Sequence, residues 1–141
     1  MVGIFFVAFC WFLFYFMKRK DNQKHPACIF GKLLSKKLEM ITELNAIKAE
    51  EKFIEGSCGW EGYTGCKNPD ERRAYSENIE ALISELLAAI MENKTGSYIE
   101  NIIDTYNSKA EMLEEEFQAD TDETEMRCMY FERVSNICGL K

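Results

Sequence analysis

The chain has 141 residues, a net charge of −7, seventeen Lys and Arg against twenty-four Asp and Glu, and a single histidine. From Asp21 onward fourteen cations face twenty-four carboxylates, a surface that repels phosphate backbones and argues against nucleic-acid binding. One histidine excludes His-pair metal sites and leaves little room for a Ser-His-Asp arrangement.

Residues Val2 to Met17 form an unbroken apolar run ending at Lys18-Arg19-Lys20. Counted from Met1, seventeen helical residues reach about 25 Å against a hydrocarbon core of about 30 Å, and the three cations can snorkel to close the difference. Nothing basic precedes the run and no small-x-small site follows it, so it reads as a retained single-pass anchor over residues 1–20 and not as a cleaved leader. Phe5, Phe9, Trp11, Phe12 and Phe16 are its expected packing face, against other membrane helices or lipid. The positive-inside rule places the remainder on the side of the basic flank, whereas Asn93-Lys94-Thr95, a glycosylation acceptor pattern, would matter only in a secretory lumen.

Beyond a linker at 21–27, the acidic domain at 28–141 has helical periodicity throughout. The first helix is expected from about Cys28 to Ile54, with Phe30, Leu34, Leu38, Ile41, Leu44 and Ile47 on its inner stripe. Asn68 as cap and Pro69 at the first helical position open a second helix, with Tyr75, Ile79, Leu82, Leu86 and Ile90 inward. Ser97 with Glu100 reads as a capping box for a third, carrying Ile99, Ile102, Ile103, Tyr106, Leu113 and Phe117. Asp120 with Glu123 opens a fourth, with Tyr130, Val134 and Ile137 inward and Gly139 as terminator. Short connections predict antiparallel neighbours, hence an all-α, up-down four-helix bundle or a pair of helical hairpins.

In that bundle Cys28 and Cys138 fall at neighbouring ends, and Cys58 and Cys66 bracket the loop GWEGYTG. Disulfides Cys28–Cys138 and Cys58–Cys66, with Cys128 free, are the expected staples; the first would stabilise by about 4–5 kcal/mol in the chain-entropy account. Five reduced thiols are the alternative. Disulfides conflict with a reducing cytosol, and an oxidising space such as the mitochondrial intermembrane space would reconcile them with the basic flank.

No motif specifies a reaction, a cofactor or a metal site, so a non-enzymatic role is expected: a membrane-anchored structural or accessory subunit of a membrane assembly. Its partners would be other membrane subunits or a basic soluble protein. The acidic run Glu111–Glu125 holds eight carboxylates and no cation, and Glu114, Glu115, Asp122 and Glu123 are its candidate docking residues. A second reading is a membrane-tethered inhibitor or immunity-type module inserting Trp60, Glu61 and Tyr63 into a target. A third is thiol redox or zinc chemistry, for which His25, Cys28 and Cys138 would be the ligands.

Overall fold

The computed structural model describes residues 26–140, with side chains from Ile29 onward. Four helices run Pro26–Ala49 (α1), Pro69–Met91 (α2), Gly96–Phe117 (α3) and Thr121–Ile137 (α4), with a 3-10 turn at Ser57–Gly59 between the first two. Among the described residues there is no strand, as the periodicity predicts. The expected anchor at 1–20 lies outside the described residues, and among those described no helix is long and apolar enough to cross a membrane.

The chain divides into two units, Met1–Leu38 and Glu39–Lys141, and α1 contributes to both. In the first unit Phe30, Leu34 and Leu38, expected on the inner stripe, are 62%, 49% and 55% exposed. Ile29 and Leu33 are exposed beside them. In the second, Leu44 and Ile47 are fully buried. The single stripe read from sequence is therefore two: a covered one from Leu44 and a bare one before Glu39.

Helix α1 also stops at Ala49, short of the expected Ile54. Lys52 explains the stop. Its ammonium is buried and donates to the carbonyls of Lys48 and Glu50, both at 3.0 Å, and to Glu80 Oε1 at 3.3 Å. All three donors of the lysine are used, two of them on carbonyls at the helix end that lack helical partners. The Glu80 contact ties that end to α2.

Residues 50–68 then fold inward. Phe53 is fully buried, with its ring centroid 5.3 Å from Tyr75 and 5.1 Å from Tyr130. It sits in the left-handed region, φ 58°, which costs a non-glycine residue about 1–2 kcal/mol. Full burial of an aromatic side chain contributes about 1.5–3 kcal/mol, enough to hold it there. Backbone bonds Cys66 N to Phe53 O (2.8 Å) and Gly56 N to Tyr63 O (3.1 Å) pull the two ends of the loop together. At Gly65, φ +89°, an added Cβ would lie 3.1 Å from the backbone nitrogen of Glu55, so the close approach requires glycine.

This packing leaves the expected Cys58–Cys66 disulfide unmade: both are free thiols. Cys66 Sγ donates to Asn68 O at the start of α2, while Cys58 Sγ accepts from Arg133 on α4, so backbone pairing holds the loop and the two sulfurs serve different neighbours. Cys138 is free and half-buried, and Cys128 is free and exposed; the side chain of Cys28 lies outside the described residues.

The remaining helices keep most of the predicted signals. Asn68 Oδ1 accepts from the amides of Asp70 and Glu71, and Asp120 Oδ1 from that of Glu123. At α3 the cap is Thr95 and not Ser97: Thr95 is extended and its hydroxyl accepts from Tyr98 N, which puts Ser97 inside the helix. Helices α2 and α3 pack most closely, and α4 lies against both and against the 3-10 turn. The result is an all-α bundle whose core includes Phe53 and Tyr63 from the loop.

Replacing Phe53 by Ala is expected to lower unfolding stability by about 3–5 kcal/mol, measured by urea denaturation. Phe53→Gly removes the same ring but relieves the left-handed strain, so it should be about 1 kcal/mol less damaging than Ala. Equal losses would show that the backbone there is unstrained.

Candidate functional site

Among the described residues, the bundle has a groove and a smaller cavity. The larger is an open groove of about 800 Å³ between α2 and α3. Residues Ala74 and Asn78 line it from one helix, one turn apart, and Tyr106, Lys109, Met112 and Leu113 from the other. Met112 is 69% exposed, and the Lys109 ammonium stands 4.4 Å from the Tyr106 ring centroid. Carboxylates Glu77, Glu115 and Glu116 rim it.

Asn78 sits in the wall of this groove, nine-tenths buried. Its Nδ2 donates to Tyr106 O at 3.3 Å, and its Oδ1 has no hydrogen-bond partner. The amide cannot be reversed without setting two carbonyl oxygens against each other, so the bare atom is an acceptor. A buried unpaired carbonyl costs about 1–3 kcal/mol.

The smaller cavity, about 430 Å³, lies where the loop 63–68 meets α2 and α4. Tyr63 is buried and its hydroxyl donates to Glu123 Oε2 at 2.6 Å. Glu71, Asp120 and Asp122 also line this space. Burial raises the pKa of Glu123 above the usual carboxylate range; the Tyr63 hydrogen bond opposes that shift, and neighbouring Asp120, Glu71 and Asp122 add to it. Burial likewise pushes Cys66 up to about 12 and Cys138 up to about 11, and raises Cys58. Thiols so shifted stay protonated at neutral pH, which works against thiolate redox chemistry.

Two further ion pairs fix the helices. Arg127 on α4, buried, reaches both oxygens of Glu114 on α3 (2.5 and 3.2 Å) and Asn107 Oδ1. Arg133 binds Glu50 through both carboxylate oxygens, at 2.6 and 3.4 Å.

Of the docking residues read from sequence, Glu115 borders the groove and Asp122 is exposed at the smaller cavity. Glu114 is committed to Arg127 and Glu123 to Tyr63. Glu61 is exposed, Trp60 is partly covered with its ring 5.5 Å from that of Tyr63, and Tyr63 is 1% exposed. An insertion loop thus lacks one of its two aromatic anchors. Among the described residues no group of His, Cys, Asp or Glu is arranged to hold a metal ion; His25 and the Cys28 side chain lie outside them. Asn78 and Met112 went unnoticed in the sequence, since a polar residue between stripe positions and an exposed methionine carry no distinguishing pattern.

Residues 35–141 match the family described as Domain of unknown function (DUF4844). The chain belongs to that family. No curated protein and no solved structure matches it. The family match begins four residues before the second unit, Glu39–Lys141, so both concave regions lie in the family domain.

The raised pKa of Glu123 sets a sign for stability against pH. A folded-state value above the unfolded one means that the native protein holds the proton longer, so this residue's contribution is fully present below the unfolded value near 4.5 and is lost as pH rises through the folded value. Glu123→Gln, which still accepts from Tyr63, should therefore gain stability relative to the parent as pH rises from about 4.5 to 8. Parallel profiles in urea denaturation would show that the carboxyl titrates normally.

Proposed function

We propose that the protein is a non-enzymatic, membrane-anchored accessory subunit whose DUF4844 domain receives a basic, amphipathic segment of a neighbouring subunit in the α2–α3 groove. The observation that carries this reading is the open, apolar-walled groove between α2 and α3, with Met112 exposed in it and Glu77, Glu115 and Glu116 at its rim. Apolar side chains of the incoming segment cover Met112, Tyr106 and Leu113, and its cations meet the rim. The Val2–Met17 run supplies the attachment to the assembly's membrane. Burial holds the thiols of Cys58, Cys66 and Cys138 protonated, which favours binding over thiolate catalysis.

A photoreactive amino acid at Met112, introduced into the full chain in its native membrane, is expected to cross-link to a neighbouring membrane subunit. The cross-link should fall at least tenfold in a Glu115→Lys, Glu116→Lys double variant, because a like charge now faces the basic segment. Replacing residues 1–20 should abolish incorporation into the assembly. A cross-link indifferent to both changes would remove the accessory-subunit reading.

A further inference from the structure

The sign of charge changes where the chain divides. Residues 18–38 carry seven cations and one carboxylate, Asp21, whereas residues 39–141 carry ten cations and twenty-three carboxylates. The next carboxylate after Asp21 is Glu39, the first residue of the second unit. Between these, the first thirteen residues of α1, Pro26–Leu38, form about 20 Å of helix. Ile29, Phe30, Leu33 and Leu34 on it are between 49% and 62% exposed, and Lys32 and Lys36 are exposed on the other side.

A contiguous exposed face of large apolar side chains marks a surface that meets a partner or a membrane. At 100° per residue Ile29, Leu33, Phe30, Leu34 and Leu38 span half the helix circumference, and Lys32, Ser35, Gly31 and Lys36 fill the other half. Lys37 falls within the apolar arc near its C-terminal end, where an aliphatic stem can run along the apolar surface and lift its ammonium out of it. The chemistry of this helix, apolar on one side, lysine-bearing on the other, free of carboxylates and preceded by Lys18-Arg19-Lys20 and an apolar run, is that of a segment lying in a membrane interface.

We propose that Pro26–Leu38 lies in the plane of an anionic lipid surface, with Ile29, Phe30, Leu33 and Leu34 among the upper acyl chains and Lys32 and Lys36 at the headgroups. The proposal rests on the membrane anchor of the preceding reading and adds a second, lipid-specific contact to it. An anionic leaflet attracts the first unit and repels the second, so the charge break at Leu38/Glu39 selects which part of the chain touches lipid. A second copy of the chain is the competing occupant, but pairing two apolar arcs would leave Lys32 and Lys36 pointing away from the seam, where an anionic headgroup layer would meet them.

The test uses the full chain reconstituted in vesicles containing phosphatidylglycerol and a lipid with a diazirine near the glycerol end of its acyl chain, with adducts mapped by mass spectrometry. Adducts are expected on residues 29–34 as well as on residues 2–17. Those on 29–34 should fall about fivefold for each lysine neutralised in Lys32→Gln and Lys36→Gln variants, and similarly in purely zwitterionic vesicles. Adducts on 2–17 with none on 29–34 would overturn the proposal and leave the anchor standing. Adducts on neither segment would overturn both. Chain-to-chain products through Lys32 or Lys36, formed in the same vesicles by a short lysine-reactive bifunctional cross-linker, with no lipid adducts on 29–34, would give this face to a second copy, and lipid adducts indifferent to lysine and headgroup charge would overturn the anionic specificity.

Discussion

The hydrogen bond from Tyr63 to Glu123 joins residues sixty apart in sequence and brings the loop after α1 into the core against α4. A buried carboxylate is costly unless its charge is met by good donors, and Glu123 has a short one from a phenol. Its backbone amide is bound to the cap Asp120, so a residue in the first turn of α4 also holds the loop. With Tyr63 seated, Phe53 closes against Tyr75 and Tyr130, and Lys52 reaches Glu80 on α2. Loop and helices form one interior because of that contact.

The same chemistry recurs twice. Tyr75 donates to Glu71 at 2.7 Å and Tyr106 to Glu85 at 2.8 Å. All three phenols are raised in pKa, first by burial and then by the carboxylate each one faces. An acidic chain with few cations thus satisfies part of its carboxylate population with tyrosine hydroxyls, and Lys52 and Arg127 are buried where one charge must satisfy several acceptors. The carboxylates at the groove rim, Glu77, Glu115 and Glu116, line an open surface, where a partner's charge has room to approach.

The helices were largely legible because their signals are local. Asn68-Pro69 and Asp120 cap where expected, and Tyr75, Ile79, Leu82, Leu86 and Ile90 are buried as a 3.6-residue period requires. Phe53 and Tyr63 were not legible as core, since they stand in a segment without period and owe their burial to partners on α2 and α4 far away in sequence. The stripe of α1 misled for a related reason: apolar spacing shows which side of a helix wants cover, but not whether the chain supplies it. Phe30 and Leu44 obey the same period, yet one is 62% exposed and the other is buried. The cysteine pairing failed because it assumed that loop closure needs a covalent bond, when the Phe53–Cys66 and Gly56–Tyr63 backbone pairs already close it. The groove forms where α2 packs on α3, a juxtaposition of residues about thirty apart that no local pattern encodes.

The stacking of Trp60 on Tyr63 gives this arrangement an optical handle. The chain has two tryptophans, and Trp60 is the one within the DUF4844 domain. Because its indole lies on the phenol that holds Glu123, its fluorescence reports on the docking of the loop. Local opening of residues 50–68 therefore has a spectroscopic signature separable from helical circular dichroism, without any label added to the protein.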